Sequence, residues 1–217
     1  MSLYTEANNQ HLLEAYAREV RERIESIADE TYRNIASNAE HRLEITHLMS
    51  QSPYGLEGPL AHPGGLLVHT AHLMRMVHCV ANSCSEISHR IDFDFLTLAA
   101  WLRNIGWHTT TVVIDGQIKR RDAHLMTGLR RSGFRFMHDV LLHVESDIEL
   151  AIPESKKQAL TNIYAEPDEI HTLEGRILEQ ASSLVDTVLW GEHCIHLNRI
   201  GNWSPDHNGL FVGHHSN

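Results

Sequence analysis

The sequence predicts an all-α fold, a helical bundle with at most one small β-hairpin. Three observations predict it. Apolar residues between Glu6 and Ser37 recur at steps of three, four or eight, the spacing of an amphipathic helix. The stretch "LLVHTAHLMRMVHCVANSCSEI", residues 66–87, is apolar on most faces, as expected of a central helix wrapped by others. Only one segment, "TTTVVIDGQIKRR", sets β-branched residues around a two-residue turn signal, Asp115-Gly116.

In chain order, Leu13, Tyr16, Val20, Ile24, Ile27 and Ile35 mark one face of the first helix. Tyr4, Leu12 and Tyr16 form either part of its core stripe or a surface for a partner. Ser37 to Glu40 has the form of a capping box, so a second helix is expected to start there. "SQSPYGLEGPLAHPGG" is rich in Pro and Gly and reads as a loop leading into the central helix. Asp92 or Asp94 can cap the next helix, "FLTLAAWLRNI", with Gly106 where a left-handed C-terminal residue belongs. After the hairpin, helices are expected over residues 123–131, 134–150, 154–164 and 173–190. The expected organisation is residues 1–62 as N-terminal helices and a connecting loop packed on the core, 63–190 as the main domain, and 191–217 as a tail. Five of the 18 histidines (His193, His196, His207, His214, His215) fall in that tail, which has no periodicity.

A chain of 217 residues with 42% hydrophobic content can bury one substantial core. It has no run of about 18 apolar residues and no basic start followed by an apolar stretch, so neither a membrane span nor a secretory signal is expected. The expectation is a cytoplasmic protein without membrane attachment. Cys79, Cys84 and Cys194 are odd in number and lack Cys-x-x-Cys spacing, which suits reduced structural thiols. A net charge of −10 argues against general nucleic-acid binding. Against that trend, Lys119, Arg120, Arg121, Arg130, Arg131 and Arg135 cluster with only Asp122 between them, either as a solvated basic face or as a local anion site.

Four patterns, in order, resemble the HD-domain superfamily of metal-dependent phosphohydrolases, over roughly residues 63–190. "PGGLLVHT" is similar to the segment presenting the family's first metal-binding histidine, here His69. "LAAWLRNIGW" resembles the helix that ends in the His-Asp pair, "DAHLMTG" the segment with a later histidine, here His124, and "TLEGRILEQASSLVD" the helix carrying the last aspartate ligand. The resemblance implies an HD-like helical bundle.

It also exposes departures. Arg103 and Asn104 stand where the family places histidine and aspartate. Arginine is protonated at any ordinary pH and has no lone pair to donate, and asparagine keeps an oxygen but not the compensating charge. The last aspartate aligns with Ser182; Asp186 lies one helical turn further on and could substitute only in a different register. The paired histidines many relatives carry before that helix are missing from "LTNIYAEPDE", and His171 falls too late. A guanidinium about 4 Å from a divalent cation, at an effective dielectric near 20, is unfavourable by roughly 8 kcal/mol.

Arg103 has two readings: a cation favoured at a helix C-terminus, or a guanidinium in the former metal cavity paired with a carboxylate or an anionic ligand. Asn104 either caps helix-terminal carbonyls or meets a ligand. The expected function is therefore a degenerate HD-domain protein acting as a ligand-binding, regulatory or scaffolding module, with no catalytic residues and no cofactor. His69, Arg103, Asn104, His124 and Ser182 would line a site for a small anionic ligand or nucleotide. The alternative is an active phosphohydrolase holding Mn, Fe, Ni or Mg on His69 and His124 with His62, His72 or His108; helical spacing brings His69 and His72 together but turns His78 away. A homo-oligomer or protein partner would bind through the N-terminal helix.

Overall fold

In a computed structural model of the chain, the structure describes residues 6–55, 60–83, 88–114, 117–120, 126–148, 152–164, 172–199, 203–205 and 211–213. The architecture is an α-helical bundle. Its elements are α1 (Glu6–Glu25), α2 (Glu30–Leu43), α3 (Ile45–Gln51), α4 (Gly65–Ser83), α5 (Phe93–Leu102), α6 (Gly106–Thr110), α7 (Met126–Ile148), α8 (Glu154–Asn162) and α9 (Leu173–Arg199). The expected hairpin forms at its expected place: β1 (Thr111–Ile114) pairs antiparallel with β2 (Gln117–Arg120), Ile114 opposite Gln117. A second short ladder, β3 (Trp203–Pro205) with β4 (Phe211–Gly213), goes beyond the one hairpin predicted. No helix among the described residues is long and apolar enough to cross a membrane.

Helix α4 lies at the centre and packs against α9, α5, α1 and α3. Leu66, Leu67, Leu73, Met74 and Val77 are fully buried, each worth about 1.5–3 kcal/mol relative to exposure. The Pro-Gly-Gly start is explained by crowding. Gly64 has φ +85°, and a Cβ on Gly65 would sit 1.9 Å from the Leu60 carbonyl oxygen. The loop therefore closes onto the first turn of α4, fixing where His69 will point.

Several boundaries differ from the sequence reading. The first helix does not run to Ser37; it ends at Glu25, and α2 starts behind Asp29, whose carboxylate accepts from the Tyr32 N–H at 3.0 Å. Ser37 and Glu40 lie inside α2 instead of opening a helix. The Glu40 carboxylate is drawn off by the Thr46 N–H at 2.9 Å and by Arg21, so it is unavailable for a capping box. Gly106 is not left-handed: the chain turns through Arg103, Asn104 and Ile105 and Gly106 opens α6.

Finally, the two helices expected over 123–131 and 134–150 are one continuous α7. Gly133 does not break it, because its role is steric: a Cβ there would lie 2.3 Å from the Tyr164 ring. Asp92 does cap α5, accepting from the Phe95 N–H at 2.9 Å. Helix α9 continues past residue 190, so the expected tail begins within a helix.

Candidate functional site

The site is assembled around His69. Helix α4 carries this imidazole into the interior, where it is completely buried. Its Nε2 lies 3.1 Å from Asp186 Oδ1 on α9, and its Nδ1 lies 3.2 Å from Asn104 Nδ2 in the turn after α5. With the amide nitrogen directed at Nδ1, that ring nitrogen accepts, and the ring proton sits on Nε2 and is donated to Asp186. Tyr54 stacks on the imidazole, centroids 3.7 Å apart and planes 15° from parallel. Its hydroxyl donates to Asp186 Oδ1 at 3.1 Å. Burial and the adjacent Asp186 push the Tyr54 hydroxyl well above its ordinary range, against a smaller opposing pull from Arg103, so it stays a neutral donor.

Arg103 is the C-cap of α5. Its backbone N–H bonds the Ala99 carbonyl at the C-terminus of α5. Its guanidinium, buried beside the site, forms an ion pair with Glu179 of α9. Asn104 turns its side chain to His69, while the hydroxyl of Tyr164 donates to the Leu102 carbonyl at 2.7 Å, the helix-end duty that Asn104 could have filled.

Two adjoining cavities share Asp186. One, about 450 Å³, runs along α9 and is lined by Glu179, Ser182, Ser183, Asp186, Thr187 and Trp190. The other, about 220 Å³, is lined by Tyr54, Gly55, Leu60, Trp107, Asp186, Leu189 and Trp190. Ser182 thus faces the larger cavity, but the carboxylate that reaches His69 is Asp186, one turn later.

The other histidines have separate engagements. His72 Nε2 meets the Tyr16 hydroxyl at 3.3 Å, His78 Nε2 donates to Thr97 Oγ1 at 2.9 Å, His108 Nδ1 meets Ser52 Oγ at 2.9 Å and His62 Nδ1 lies 2.8 Å from the Pro63 carbonyl. His124 lies outside the described residues, as do Tyr4, Arg121 and His171. Among the described residues no three His, Cys, Asp or Glu side chains converge on a point where a metal could sit. These donors do not fit a divalent cation: the adjoining buried cation is a guanidinium, and Asn104 spends its amide on His69. In the basic run, Arg131 and Arg135 are exposed on α7, as a solvated face requires. At the N-terminus, Leu12 is exposed and Tyr16 packs against the core.

Sequence reasoning missed Tyr54, Trp107, Glu179 and Trp190. A signal for part of this existed: Glu179, Ser182, Ser183, Asp186 and Trp190 recur at steps that place them on one face of α9. No family model, no curated protein and no solved structure matches this chain. Its own geometry therefore carries the functional reading.

Proposed function

We propose that this chain is a metal-independent binding module on an HD-like bundle, its hydrolase chemistry lost. The observation that carries this reading is the buried Arg103 guanidinium, ion-paired with Glu179 beside a His69 whose two ring nitrogens are both engaged. A cation built into the chain supplies the positive charge that a bound metal would otherwise bring. An imidazole held between an amide and a carboxylate has no lone pair directed at a ligand. What remains accessible is the Asp186 carboxylate, at the junction of two cavities.

The test is turnover of p-nitrophenyl phosphate, bis(p-nitrophenyl) phosphate and nucleoside 5′-phosphates with Mn²⁺, Fe²⁺, Ni²⁺ or Mg²⁺. The expected result is no rate above buffer with any pair. A metal-dependent rate that disappears in His69→Ala would overturn the proposal. It would favour the second reading, an active phosphohydrolase with a non-standard ligand set, whose one support is the His69–Asp186 contact.

A further inference from the structure

We infer that the smaller cavity is a binding site for a small organic cation, an alkylammonium or quaternary ammonium group. The inference rests on the reading of the chain as a metal-independent binding module and names the chemistry of its ligand. Three aromatic side chains wall the cavity, Tyr54, Trp107 and Trp190, and the Tyr54 and Trp107 rings are 5.7 Å apart at 59°. Clustered aromatic rings are the kind of lining that attracts a cation with apolar substituents. Leu60 and Leu189 complete an apolar lining.

Among the described residues, one charged group lines this space. Asp186 Oδ1 accepts from both His69 and Tyr54, whereas among the described residues Oδ2 meets the Tyr54 hydroxyl alone, at 3.4 Å. A carboxylate offers about four acceptor positions, so Oδ2 retains acceptor capacity. Among the described residues no lysine or arginine forms an ion pair with Asp186. Its partners, the Tyr54 hydroxyl and the His69 ring, orient the carboxylate, and 42% of the side chain is accessible. The nearby Arg103 is ion-paired with Glu179. An anionic ligand, the sequence-based expectation, would meet this carboxylate; an ammonium group would meet both it and the aromatic faces.

The volume of about 220 Å³ suits a headgroup with a few carbons.

The experiment is isothermal titration calorimetry of the full chain with choline chloride, with its uncharged isostere 3,3-dimethylbutan-1-ol, and with potassium phosphate. Choline is expected to bind at least about tenfold more tightly than the isostere, a gap set by the cation and not by shape. Asp186→Asn should erase most of that gap. Because Asp186 also contacts buried His69, Trp190→Ala, at an exposed position, provides the second variant and should weaken choline severalfold. Equal affinity for choline and the isostere, or no choline binding, would overturn the inference. Phosphate binding in place of choline would overturn it too, yet leave the binding-module reading standing. Metal-dependent turnover in the assay above would remove that reading itself.

Discussion

Asp29 and Asp186 are nearly equally accessible, at 34% and 42% of their side chains, yet they have opposite kinds of partner. Asp29 accepts from the Tyr32 N–H at the start of α2 and is ion-paired with Lys156 of α8, whose ammonium also sits 4.1 Å above the Tyr32 ring. The adjacent Asp94 takes the N–H groups of Ala28 and Asp29 at 3.1 and 2.7 Å. Every component there closes a helix end or neutralises a charge, and the cluster fixes the break between α1 and α2. Asp186 is held by the Tyr54 hydroxyl and the His69 ring, lines a cavity and, among the described residues, meets no lysine or arginine. The difference teaches that exposure does not distinguish a structural carboxylate from an available one; the identity of its donors does.

The largest predicted effect removes the compensation beside Asp186. Glu179→Ala leaves a buried guanidinium without this carboxylate and is expected to cost about 3 kcal/mol, measured by urea unfolding, at the low end for a broken buried pair because Glu179 is partly accessible. His69→Ala follows at about 2–3 kcal/mol, from the cavity it opens and the donor it withdraws from Asp186. If this variant were as stable as wild type, His69 would not hold the site together.

Next comes the comparison itself. Asp29→Ala is expected to cost about 1–1.5 kcal/mol, mostly through the lost cap, the half-exposed pair with Lys156 adding little. Asp186→Asn keeps an acceptor oxygen for Tyr54 and His69 and should stay within about 0.5 kcal/mol of wild type. Equal losses in the two variants would break the contrast between them.

The smallest effect is in pH. Burial raises the Asp29 carboxyl, but the hydrogen bond from Lys156 and the backbone donor Tyr32 outweigh it, and the net direction is down. The unfolded carboxyl therefore binds its proton first as pH falls. The stability Asp29 contributes is complete above about pH 4 and is lost as pH drops through its lowered folded value. Thermal melts between pH 6 and pH 3 should show a shallower acid decline in Asp29→Ala than in wild type.

Much of the fold is written locally. The apolar run of α4, the Asp92 cap and the Asp115-Gly116 hairpin each depend on neighbours a few residues away, and each appears where the pattern puts it. The break at Asp29 depends on Asp94 and Lys156, 65 and 127 residues distant, so Ser37 and Glu40 offered a more visible but unused signal. Glycine at 133 sits inside α7 because the Tyr164 ring, distant in sequence, lies where a Cβ would be.

The site divides in the same way. Arg103 and Asn104 stand out locally, a cation and an amide in an otherwise apolar run. The choice of Asp186 over Ser182 required the register of α9 against α4, which no local pattern supplies. Tyr54 was hidden because its loop is dominated by Pro and Gly, which report backbone shape and not what a side chain stacks upon.

The central claim, that a guanidinium stands in for a metal, is tested most directly by elemental analysis of the purified full chain after exposure to Mn²⁺, Fe²⁺ and Ni²⁺ and gel filtration. Substoichiometric metal, the same in wild type and His69→Ala, is the predicted result. One or two tightly held equivalents per chain, lost in His69→Ala, would contradict it.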